Sequence, residues 1–195
     1  MFTTHRILLS RLFGLVVLAY VLLAALPTFS GYWISELGEL AGFVLLPVAA
    51  FGRLWCLVFI AGKKNETLLT EGPYSIARNP LYVFSFLGVV GFGLAVENPW
   101  LAAVIGVWFA ACYPITVAHE EKRLASIFGA AYAEYCARTP RWIPNFRLYH
   151  EPQTLIVCPA EIRRGILDAM WFLWAFFLWE VLEVFRQMGV LHTWI

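Results

Sequence analysis

Charge is what this chain has least of: only 14% of its 195 residues are Asp, Glu, Lys or Arg, while 61% are hydrophobic. That shortage excludes a soluble domain with an ordinary charged surface. A formal net charge of +1 also leaves no basic footprint for nucleic acid. The four cysteines, Cys56, Cys112, Cys136 and Cys158, form no CxxC pair, and no histidine stands at metal-ligand spacing. A disulfide framework and a zinc site are therefore not indicated. No strand pattern leads into a Gly-rich dinucleotide fingerprint, which removes the usual nicotinamide-binding fold.

What is present is a series of apolar runs of near-membrane length, with a mean hydropathy of +0.72. Such runs define an all-α, polytopic transmembrane helical bundle. About five spans are expected, in a single integral membrane domain covering 1–195. The first runs from Ile7 to Leu26, the second from Leu37 to Ala61 with Pro47 between Gly42 and Gly52 as a kink. The third and fourth, Leu81 to Val96 and Trp100 to Val117, form a hairpin turning at Glu97-Asn98-Pro99. From Glu120 to Arg147 the chain becomes charged and amphipathic, with Leu124, Phe128, Tyr132 and Tyr135 at helical spacing, which predicts a cytoplasmic surface helix ended by Pro140 and Pro144. A Trp-rich helix at about 165–186 is the last span, an interfacial helix being its rival.

Positive charge collects on one side of these spans. Lys63, Lys64, Arg78, Lys122, Arg123, Arg138, Arg141 and Arg147 all follow span two or span four, whereas the loop from Thr28 to Glu36 and the hairpin turn carry no Lys or Arg. The positive-inside rule then turns the polar clusters towards the cytoplasm.

Two polar clusters interrupt the apolar pattern: Glu71 to Tyr82, and His119-Glu120-Glu121. Ionisable groups at a membrane edge are costly, so these are functional candidates. Gly72-Pro73 and Asn79-Pro80 are turn signals, and the backbone between them must be irregular. Irregular backbone at that depth has to be buried in protein or line a polar cavity, where its amides become possible ligand donors. Carboxylates, phenols and Arg78 together suit a ligand carrying both a cation and sugar hydroxyls. S-adenosylmethionine is one such ligand, although composition alone does not single it out.

The series Glu66-Thr67-Leu68-Leu69, Gly72-Pro73-Tyr74, Arg78-Asn79-Pro80-Leu81-Tyr82, Glu120-Glu121, Phe128-Gly129, Tyr132, Tyr135 and Arg141-Trp142-Ile143-Pro144 resembles the integral membrane methyltransferases. That family includes isoprenylcysteine carboxyl methyltransferases and phospholipid methyltransferases. The resemblance implies a cofactor-site core at about 66–144 and S-adenosyl-L-methionine as the methyl donor. It implies cofactor contacts from Glu66, Thr67, Leu68, Leu69, Tyr74, Asn79, Pro80, Leu81, Tyr82 and Glu120. Tyr82 and Arg78 are the catalytic candidates, as groups that position the cofactor and order the loop or the substrate head group.

Arg138 and Arg141 are the substrate candidates, for a lipid headgroup or another acidic group on a membrane lipid or lipid-modified acceptor. Transfer is expected to be direct, with Glu120 at the ribose or amino end and away from the sulfur. Two positions depart from the family pattern. Asn79 stands where a histidine is usual, which removes a titrating base, and Thr116 stands where the isoprenylcysteine enzymes place a carboxylate-binding arginine.

Simpler readings stand beside these. The Glu pair at a helix start also complements the helix dipole, His119 suits an interfacial residue, and Gly91-Phe92-Gly93 suits either a cofactor glycine pair or close helix packing. At the level of function, the alternatives are a non-catalytic membrane protein retaining the scaffold and a nicotinamide-dependent membrane reductase of similar helical design.

Overall fold

The computed structural model describes residues 33–63 and 65–189. The expected first span lies outside the described residues, as does Lys64. Among the described residues the regular elements are all helices and there is no strand. α1 spans Trp33–Ile60, α2 is the single turn Pro73–Ile76, α3 is Pro80–Ala95 and α4 is Pro99–Arg138. A 3-10 turn at Phe146–Leu148 precedes α5, Pro159–Ala169, and α6, Trp171–Gln187.

Three stretches are long and apolar enough to cross a membrane: Glu36–Ile60, Pro99–Arg138 and Pro159–Gln187. The third expected span, α3, has 16 residues. At 1.5 Å per residue it covers about 24 Å, less than the roughly 30 Å hydrocarbon layer.

α1 divides its faces by periodicity. Leu37, Leu40, Val44, Val48 and Phe51 are exposed at steps of three and four, as lipid-facing residues should be, whereas Leu46, Ala49, Ala50, Arg53 and Cys56 are buried on the other side. α1 is continuous through Pro47. It lies along α3, and α3 in turn lies along α4.

Close approach of α1 and α3 depends on missing side chains. A Cβ on Gly42 would collide with the Ala95 backbone, and one on Gly91 would stand 2.8 Å from Leu45 Cβ. Small residues at such crossings let helices gain dispersion contacts that lipid cannot supply. A Cβ on Gly93 would likewise strike Ala102 of α4, so Gly91 and Gly93 face neighbouring helices. The turn of the α3–α4 hairpin is closed by Asn98, whose side chain accepts from the Leu101 N–H at 2.9 Å, a polar cap at the start of α4.

The expected surface helix is not a separate element. α4 continues from the apolar hairpin through Glu120 and Glu121 to Arg138, interrupted only at Gly129 (φ 51, ψ −122). Gly129 supplies a backbone conformation closed to other residues, and the helix resumes in a new direction. It ends at Arg138, as Pro140 leads one to expect, with Thr139 already extended.

The Trp-rich stretch breaks near Met170 into α5 and α6. Phe172 is buried against the α1–α3 packing, where the absent side chain of Gly88 leaves space for its ring.

Candidate active site

Gly72 adopts φ 58, and a Cβ there would run into the Phe59 ring. Pro73 follows as the first residue of α2 and Pro80 as the first of α3, positions where the missing N–H and preset φ cost nothing. These turns bury Tyr74, Ser75, Ile76 and Ala77 beneath the membrane end of α1.

The irregular backbone finds its partners in segment 140–150, which crosses it as a strap. The Gly72 N–H donates to His150 O at 2.8 Å, the Arg78 N–H to Pro140 O at 2.8 Å, and the Asn145 N–H to Ile76 O at 2.9 Å. Backbone donors that the sequence left free for a ligand, those of Gly72 and Arg78, are thus taken up within the protein. Buried amides need partners, and the strap supplies them at lower cost than an empty cavity. Tyr135 adds its hydroxyl to Tyr74 O at 2.7 Å, which ties the segment beyond Gly129 to the same loop.

The two adjacent glutamates separate in role because they stand about 100° apart on α4. Glu121 turns to the loop: it lies 3.0 Å from Arg141 Nη2 and 3.5 Å from Arg78 Nη1. The Asn79 amide donates to it at 3.1 Å and to Arg141 O at 3.3 Å. Arg78 also donates to Cys136 Sγ at 2.9 Å. The result is a knot joining loop, helix and strap through one carboxylate. Glu120 points to α3, where the Tyr82 hydroxyl donates to it at 3.0 Å.

Glu120 shares its helix face with Thr116, Tyr113 and Phe109, at steps of three and four, and Tyr82 shares its own with Phe86. Across the hairpin Tyr82 meets Tyr113 at 5.4 Å and Phe86 meets Phe109 at 5.7 Å, and within α4 Phe109 stacks on Tyr113 at 3.7 Å. An aromatic row therefore runs from the apolar span to the Tyr82–Glu120 pair.

Tyr74 lies in the buried cluster of Cys56 and Phe59. Its phenol is buried with no hydrogen-bond partner. Burial, together with nearby Cys56, Tyr135, Glu120 and Tyr82, holds its ionisation well above the ordinary tyrosine range. It is a neutral O–H donor at any physiological pH.

Of the sequence candidates, Tyr82 and Glu120 pair, Tyr74 lies in the buried cluster of Cys56 and Phe59, and Arg78, Asn79 and Arg141 gather on Glu121. Pro80 is buried at the start of α3. Leu69 and Leu81 pack against the buried cluster of Cys56, Phe59 and Tyr74. Leu68 is half-buried on the same turn. Glu66 and Thr67 are exposed beyond α1, bonded through their N–H groups to Lys63 O, and the polar network around Glu120 and Glu121 does not include them. Arg138 is apart from Arg141; it is exposed and pairs with Glu134 at 3.6 Å.

Sequence reasoning passed over Arg53. It is 8% exposed in the C-terminal third of α1, bonds Asp168 at 2.8 Å, Asp168 O at 3.0 Å and Ala169 O at 3.3 Å, and donates to the Ser85 hydroxyl. It clamps the C-terminal end of α5 to α1 and α3. The signal was present: an arginine within an apolar run. Among the described residues no group of three or more His, Cys, Asp or Glu side chains is arranged to hold a metal ion.

Helical spans, a strapped irregular loop and a carboxylate–phenol pair at the end of an aromatic row define an integral membrane protein with a polar site at one end of the bundle. A family model described as phospholipid methyltransferase matches residues 41–131. Protein-S-isoprenylcysteine O-methyltransferase B of Arabidopsis thaliana is 30% identical over 154 residues, covering 73% of this chain and 78% of that protein. The chain belongs to this family of membrane methyltransferases.

It is also similar to the cobalt-zinc-cadmium resistance protein CzcN of Cupriavidus metallidurans, 39% identical over 98% of this chain and 88% of that one. The nickel-cobalt-cadmium resistance protein NccN of Alcaligenes xylosoxydans is 35% identical over 99% of this chain and 90% of its own length. No solved structure matches the chain.

Proposed function

We propose that the chain is an S-adenosylmethionine-dependent methyltransferase that passes a methyl group directly to a membrane-associated acceptor, with its site on the cytoplasmic side. The observation that carries this reading is the division of labour between the glutamates. Glu121 is consumed by two arginines and Asn79, while Glu120 is held by a neutral phenol and keeps acceptor capacity for a ligand.

The side chains suit that cofactor. Glu120 accepts hydrogen bonds from sugar hydroxyls or an ammonium group, Tyr82 orients Glu120, and the partnerless Tyr74 hydroxyl offers a donor. S-adenosylmethionine, when bound, supplies an electrophilic methyl on a sulfonium. The protein then contributes orientation and exclusion of water, which suffice for a displacement that needs no covalent protein intermediate. The row of Phe86, Phe109, Tyr113 and Tyr82 supports an acceptor that arrives laterally from the bilayer with its apolar part along the α3–α4 hairpin. Arg78, Arg141 and Asn79 keep the loop closed against Glu121 while it does so.

The names of CzcN and NccN suggest the setting, a cell resisting divalent metal ions, and within it the acceptor is a lipid or lipid-modified component of the membrane. Calorimetric titration of the detergent-solubilised protein with S-adenosylmethionine tests the site. Glu120→Gln and Tyr82→Phe are expected to weaken binding by about tenfold or more, the worth of a hydrogen bond to a charged group. Undiminished affinity in both would overturn the assignment. Incubation with methyl-labelled cofactor and a total membrane extract then identifies the acceptor class by the fraction that carries label.

A further inference from the structure

Beside Arg78, the end of α4 and the strap border an open cleft of about 770 Å³. Arg78, Arg138 and Arg147 line it together with Asn145, Ile143 and Phe146, and none of Tyr74, Tyr82 or Glu120 does. No carboxylate contributes to its walls. Among the described residues two of the lining arginines meet an acid: Arg78 meets Glu121 at 3.5 Å in the knot, and Arg138 meets Glu134 at 3.6 Å with both side chains mostly exposed, a pair that water weakens.

The rim is apolar. Ile143 is 82% exposed and Phe146 72% exposed, next to arginines and just past a helix that leaves an apolar span. A concave basic wall with two uncovered apolar side chains at its edge matches a molecule that has an anionic head and hydrocarbon beside it.

We propose that this cleft is an accessory site for the phosphate group of an anionic phospholipid from the surrounding bilayer, distinct from the place of methyl transfer. Arg138 and Arg147 receive the phosphate, and Ile143 and Phe146 lie against the lipid's glycerol and upper acyl chain. Arg78 belongs to both the cleft and the Glu121 knot, so occupancy of the cleft bears on how firmly the loop is held.

The full chain, purified in neutral detergent, is titrated with short-chain phosphatidylglycerol, short-chain phosphatidylcholine and inorganic phosphate, and bound lipid is counted by native mass spectrometry. Phosphatidylglycerol should be retained over phosphatidylcholine, and the variant R138Q/R147Q should lose that preference by at least about tenfold, from two arginines near a charged surface. R138K/R147K, which keeps the charge, should retain most of it, and R163Q/R164Q on α5 should leave it unchanged. Equal retention of the two lipids, or an equal loss in R163Q/R164Q, would overturn the proposal. So would inorganic phosphate displacing phosphatidylglycerol at matched concentration, which marks a soluble-anion site.

Discussion

Replacing Glu121 by Gln removes one charge and keeps the size and most of the hydrogen bonding of the side chain. Its carboxylate is 16% exposed and faces Arg141 at 3.0 Å and Arg78 at 3.5 Å. At an effective dielectric of about 20 each contact is worth roughly 5 kcal/mol before desolvation. Desolvation of partly buried ions cancels much of this, and Arg141, about a third exposed, is further screened. A net loss of about 3 kcal/mol remains, because two guanidinium groups are left facing each other without a counter-ion.

For a chain of this size that corresponds to a fall of about 6–12 °C in Tm, measured by thermal unfolding in detergent. The neighbouring Glu120→Gln meets only a phenol. It should cost about 1 kcal/mol or less in stability while weakening cofactor binding. A Glu121→Gln protein as stable as the wild type, or a Glu120→Gln protein that loses more stability than Glu121→Gln, would refute the assignment of the knot to Glu121.

Gly129→Ala should cost about 1–3 kcal/mol from backbone strain alone, since φ is 51 and the space around Gly129 is open; an unchanged Tm would show that the helix does not need the break. Arg53→Met should destabilise by about 2–4 kcal/mol by abandoning Ser85, two carbonyls and Asp168. Asp168→Asn should cost under about 1 kcal/mol, because that side chain is 80% exposed, and chemical unfolding that reverses this order would refute the clamp. The Tyr74 phenol is raised above its ordinary value of 10.0 mainly by burial. Above pH 10 the unfolded chain loses this proton while the native one keeps it, so stability falls as pH rises, by up to about 1.4 kcal/mol per unit. Tyr74→Phe should flatten that slope between pH 10 and 11, and an equal slope would remove Tyr74 as its source.

Membrane character and helical class were legible in the chain itself, as were the two polar clusters that hold Tyr82, Glu120 and Glu121. Apolar runs leave the backbone no partners but its own, so helix is the outcome wherever they occur. The turn chemistry of Gly72-Pro73 and Asn79-Pro80 likewise acts over a few residues, and the structure keeps both prolines at helix starts. Long-range relations were not legible. That Glu121 serves the fold while Glu120 faces Tyr82 depends on which way α4 is rotated against α3, and adjacent identical residues carry no mark of it.

The continuation of α4 past Glu120 was hidden because a change from apolar to amphipathic pattern looks like an element boundary, although the helix merely passes out of the apolar layer. The strap at 140–150 was hidden because its bonds to Gly72, Ile76 and Arg78 are between backbone groups, which every residue possesses. Arg53 reads in sequence as a costly exception within a span; only the tertiary structure supplies Asp168, Ser85 and the end of α5, the partners that make its burial affordable. Local stereochemistry and hydropathy thus determined the elements and their residues, and packing between distant segments decided which charges meet and what each can do.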